Sequence, residues 1–171
     1  MTSIKIAPPG APAYPNWLRV LLLIVTIGKI VSSLTDLAVL FDNDKIFSWG
    51  GGLVIAATIA LSPFLAVAAF VYVLRHRFAE AIIAIAGLAL LDGLSYVPSI
   101  VNFWSEFPDP GYAGIVEIVQ MVVAPIVAVV AMILAWRGNR LRLATTLALV
   151  PTLIYISGVV AFGIAFAIYG F

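Results

Sequence analysis

Four residues carry most of the chemistry this sequence can offer: Lys29, Asp36, Asp92 and Glu117. Each lies inside a long apolar run rather than in a polar connection. A Lys or Asp at the centre of a bilayer costs about 2.5–3.5 kcal/mol even on mild insertion scales, so such residues turn toward a bundle interior and toward partners. Their spacing suits this. Thr26, Lys29, Ser33 and Asp36 recur at i, i+3, i+7 and i+10, which is one face of a helix. Asp92, Ser95, Tyr96 and Ser99 form a second polar stripe, and Glu117 with Gln120 a third.

A rise of about 1.5 Å per residue converts position into depth. Lys29 and Asp92 both fall about 18 Å from the side on which their segments begin, and Asp36 and Glu117 both about 28 Å from that side. The spacing therefore predicts an intramembrane ion pair, Lys29 with Asp92, joining the first and third segments. Asp36 is the rival partner for Lys29, but it sits about 10.5 Å along the same helix axis. Asp36 and Glu117 form an outer layer of carboxylates with no basic residue at their level. They either share a proton or a cation, or reach outer water. Ser33, Ser95, Tyr96 and Gln120 are the supporting polar groups. Set against these readings are two bland ones: a pair that only holds helices together, and outer carboxylates that only reach the interface.

The elements that must position these residues are membrane helices. Of 171 residues, 64% are hydrophobic and 10% charged, and mean hydropathy is +1.17. Soluble domains average roughly 25% charged residues, and a short soluble chain cannot cover this much apolar surface. Long unbroken apolar runs exclude the short alternating segments of a transmembrane barrel. The fold class is an all-α, polytopic membrane bundle of five transmembrane helices, at about 17–41, 49–74, 80–104, 112–136 and 143–169. These make one transmembrane domain, 16–171, behind a proline-rich arm, 1–15, that holds Pro8, Pro9, Pro12 and Pro15. The first apolar run is too long for a signal-peptide core, so no cleaved leader is expected.

Charge sets the orientation. Lys5, Arg19, Arg75, Arg77, Arg137, Arg140 and Arg142 all fall on one side of a five-helix topology, with only Lys45 among basic residues on the other. The positive-inside rule then places the N-terminus in the cytoplasm. Trp17, Trp49, Trp104 and Trp136 stand at segment ends, where indoles favour the membrane interface. Pro63, Pro98, Pro125 and Pro151 lie inside helices and predict kinks. Small-residue faces, Gly52/Ala56/Ala60 and Gly158/Ala161/Ala165, predict close helix packing.

Other chemistry lacks support. There is no cysteine, and the single histidine, His76, sits in a basic connection. No metal-ligand spacing, phosphate loop or nucleophile elbow appears, so no catalytic residue, metal or cofactor is assigned. The net charge of +1 gives no reason to expect nucleic acid. The partners expected are membrane lipids and a larger membrane complex, and the expected location is a bacterial inner membrane. Three functions stay open. The first is a non-catalytic membrane subunit or accessory protein packed against a larger complex. The second is a small transporter or ligand-binding membrane protein with an outward-facing polar pocket. The third is a membrane enzyme acting on lipid or quinone. An outward pocket bounded by three of the four ionisable residues would favour the second.

Overall fold

The structure, a computed structural model, describes residues 14–42, 51–102, 118–138 and 140–169. The described residues form five helices and no strand: α1 (Asn16–Asp42), α2 (Gly52–Leu74), α3 (Phe78–Asn102), α4 (Ala124–Trp136) and α5 (Leu141–Tyr169). A π-helical stretch, Val119–Val123, leads into α4. Four stretches are long and apolar enough to cross a membrane: Asn16–Ala38, Gly52–Leu74, Phe78–Pro98 and Val119–Trp136. α5 is 29 residues long, and its apolar stretch Leu141–Ile154 is the shorter one. The chain is a helical membrane bundle. Large apolar side chains such as Ile24, Val31, Phe64 and Ile126 point outward, a surface that lipid accepts and water does not.

Three helix starts differ from the sequence reading by two or three residues. α2 begins at Gly52 rather than at 49, with Gly51 in a turn. α3 and α5 each begin two residues earlier than expected, so Leu141 and Arg142 are helical rather than part of the connection. The fourth segment is not uniformly α-helical. Pro125 has no N–H to give to the carbonyl four residues back, and the backbone widens just before it. The Ala124 N–H donates to the Val119 carbonyl, a five-residue step. α2, α3 and α5 run unbroken through Pro63, Pro98 and Pro151.

Two tight turns set the topology. α2 ends on His76, whose φ is 58°. The His76 N–H donates to the Val73 carbonyl and the Arg77 N–H to the Tyr72 carbonyl. This pair of bonds closes a helix end around a left-handed residue. α4 ends the same way on Gly138, with φ 65° and a bond to the Ala135 carbonyl. Histidine is among the non-glycine residues enriched in this conformation. His76 therefore serves as a helix stop, with its ring edge-on to Phe78.

α3 is the central helix and the most buried span; it packs on α2, α4 and α5, while α1 packs on α2 and touches α5. Small residues allow this. α4 turns Ala124, Ala128, Ala131 and Ala135 inward, all but inaccessible. α2 turns in Gly52, Ala56, Ala66 and Ala69. Gly158, Ala161 and Ala165 lie where side chains are outside the described set. Leu22, Val25, Val73, Ile82, Ile85 and Leu149 fill the core. All six lie in the half of the bundle nearer the turns at 75–77 and 137–138, the end rich in arginine.

The chain entry is fixed to this end. Tyr14 stacks on Phe78 with ring centroids 4.0 Å apart, and its hydroxyl lies 2.6 Å from Thr145 Oγ1. Thr145 gives its one hydroxyl hydrogen to the Leu141 carbonyl, so Tyr14 is the donor. Burial pushes the Tyr14 phenol above its usual value. Residues 1–13 of the proline-rich arm lie outside the described residues.

Candidate functional site

Above the packed core, the helices part around a cavity of about 200 Å³. α1 contributes Lys29, Ser32 and Asp36; α3 contributes Ala89, Asp92, Ser95 and Tyr96. Gln120 of the π-helical stretch and Pro151 and Thr152 of α5 complete the wall. Ala89 belongs to both the cavity and the apolar core, so the core is the cavity's floor.

The central contact is ionic. Lys29 Nζ donates to Asp92 Oδ2 at 2.6 Å. The two side chains keep 22% and 36% of their accessibility, so the pair opens onto the cavity and is not locked in a dry helix contact. Lysine suits this position because its four-carbon stem can cross from α1 to α3, two helices that are not close neighbours. One turn further along α3, Ser95 Oγ donates to the Asp92 backbone carbonyl at 2.6 Å.

Gln120 is 6% exposed. Its Nε2 donates to the Pro151 carbonyl at a long 3.5 Å. The π-helical widening places it there, and α3 makes room. A Cβ on Gly93 would stand 2.8 Å from Pro125 Cγ and 3.4 Å from the Gln120 carbonyl. Glycine at 93 thus lets the π-helical stretch and the Pro125 ring lie against α3.

The residues named from sequence fall as follows. Lys29, Asp92, Ser95, Tyr96 and Gln120 surround one cavity. Asp36 lines it as well. It makes no hydrogen bond or ion pair of its own among the described residues. Glu117, its expected companion, lies outside the described residues, as does the Ser99 side chain. Ser33 does not line the cavity. It is buried and donates to the Ile30 carbonyl. Its neighbour Ser32 takes the place instead. Positions i+3 and i+4 both flank a helical residue, so spacing from Lys29 alone does not choose between them. Thr152 was the harder residue to find. It reads as one of several scattered hydroxyls, and only the packing of α5 on α3 and the π-helical stretch brings it to the cavity.

Among the described residues no group of three His, Cys, Asp or Glu side chains is placed to hold a metal ion. What the arrangement offers is a polar chamber with one cation, two carboxylates, three hydroxyls from Ser32, Ser95 and Thr152, a phenol and an amide. No protein-family model, curated protein or solved structure matches this chain.

Proposed function

We propose that this chain is a small ligand-binding or transport protein of the membrane, whose polar cavity is open on the side away from the arginine-rich end. The observation that supports it is the cavity itself. Three of the four intramembrane ionisable residues bound one chamber of about 200 Å³. A pair that served only to join helices would be expected to pack closed, because an open polar site in hydrocarbon is costly. The chamber is also one-sided. Below Ala89 the core is alanine, leucine, isoleucine and valine, and its buried hydroxyls, Thr26 and Thr145, each give their hydrogen to a carbonyl of their own helix. Such a floor conducts neither ions nor water, so passage across the membrane would require the helices to move.

In this reading the chain spans a cytoplasmic membrane five times, with the arginine-rich end inside. The roles follow from the chemistry. Lys29 and Asp92 set the polarity of the chamber, Asp36 presents a carboxylate with no ion pair among the described residues, and Gln120, Ser95 and Thr152 orient the ligand.

The test is purification of the full chain alone, followed by two measurements: mass analysis of the native particle, and solute binding or uptake in proteoliposomes. A lone particle with saturable binding that Gln120→Ala weakens supports the proposal. A stoichiometric larger membrane partner, with no binding by the isolated chain, would replace it with the accessory-subunit reading.

A further inference from the structure

Resting on the pocket reading above, we infer that the cavity is built for a small protonated amine: its one described cation is held by Asp92, which leaves the Asp36 carboxylate for the ligand.

The count of charges comes first. The described wall holds one cation, Lys29, against two carboxylates, Asp36 and Asp92. Lys29 is committed to Asp92 Oδ2 at 2.6 Å. Asp36 remains, with no ion pair or hydrogen bond of its own among the described residues. A carboxylate facing a chamber within a membrane gains from a counter-charge that can also donate hydrogen bonds.

Hydrogen-bond polarity points the same way. Ser95 spends its single hydroxyl hydrogen on the Asp92 carbonyl. Gln120 directs its amide N–H₂ at the Pro151 carbonyl. Acceptors for the N–H groups of a ligand are present: the lone pairs of Ser95 Oγ and the carbonyl oxygen of Gln120. Asp92 likewise keeps the oxygen that Lys29 does not take. An anion would meet the carboxylates of Asp36 and Asp92 against a single cation. A neutral hydrogen-bond donor would leave Asp36 without a counter-charge. A protonated amine matches both features.

Size narrows the class. With about 30 Å³ to a water in the liquid, the cavity holds roughly six waters or one small organic ion. A bare divalent ion would need several oxygen ligands at about 2.0–2.6 Å. Among the described residues no three acidic or histidine side chains are grouped to supply them.

Titration of the full chain in lipid nanodiscs tests this, with ethylammonium, ethanol, acetate and sodium as probes at constant ionic strength. The expected result is saturable ethylammonium binding, weakened about tenfold or more in Asp36→Asn and largely kept in Asp36→Glu, with acetate not bound. The Glu variant separates loss of charge from loss of fold. Ethanol or acetate binding that survives Asp36→Asn, with ethylammonium ignored, would overturn the amine class while leaving the pocket reading in place. Sodium binding as strong as that of ethylammonium, and equally dependent on Asp36, would also overturn it, in favour of an inorganic cation. Binding of no probe at all would remove the pocket reading together with this inference.

Discussion

The Lys29–Asp92 pair separates two accounts of why a polar residue sits in a membrane helix. As a contact it should be coupled: each side chain alone costs more to lose than its share of the pair, because the partner is left charged in a poor solvent. The pair is neither surface-exposed nor fully enclosed, so Lys29→Ala and Asp92→Ala should each destabilise by roughly 1–3 kcal/mol, between the ranges for exposed and buried pairs. The double variant should cost clearly less than the sum. Thermal unfolding in detergent measures this, and strictly additive losses would show that the two do not interact. Tyr14 gives a second residue-scale expectation. Its phenol lies above the ordinary tyrosine range because burial disfavours the phenolate. A raised folded value means that the contact is complete below the unfolded value and is lost as pH climbs through the folded one. Docking of Tyr14 on Thr145 should therefore be constant across neutral pH and weaken only in strong alkali. Tyr14→Phe should lower stability by about 1 kcal/mol and abolish that alkaline dependence. An unchanged alkaline transition in the Phe variant would refute this.

At the scale of elements, the site depends on one helix yielding its regularity. The widening at Val119–Val123 lies just ahead of Pro125, it carries Gln120 to the cavity, and Gly93 leaves the space. Gly93→Ala should push the Pro125 ring away and cost roughly 1–3 kcal/mol, as overpacking does. It should disturb ligand binding more than a similar insertion at Gly87, where the nearest atom would be an ordinary 3.5 Å away. Comparing the two variants by unfolding and by ligand titration checks this; equal effects would mean that the close approach at Gly93 does not matter. Much of this scale was legible beforehand. Long apolar runs and basic connections marked the helices, and equal depth plus helical spacing put Lys29 and Asp92 at one level, where the structure has them in contact. The π-helical stretch was not legible, because a proline announces a missing bond but not how the backbone absorbs it. Nor was the choice of Ser32 over Ser33, which is decided by the rotation of α1 against its neighbours. The α4 alanine seam was readable at spacing of four and three, but it is hard to notice in an alanine-rich chain.

For the molecule as a whole, the features divide along the membrane normal. The arginine-rich end is closed by an apolar core, by helix stops at His76 and Gly138, and by the docked Tyr14. The other half holds the polar chamber. This one-sidedness is the central claim, and the sequence makes it easy to test because the chain has no cysteine. Single variants Ser32→Cys, Ser95→Cys and Ala86→Cys would be treated with a membrane-impermeant thiol reagent from each side of sealed, oriented vesicles. Reaction requires a thiolate in contact with water. The account predicts that the first two react only from the side opposite the arginine-rich connections, and that Ala86→Cys, fully buried in the floor, reacts from neither. Protection of both chamber positions from both sides, or labelling from the arginine-rich side, would contradict it.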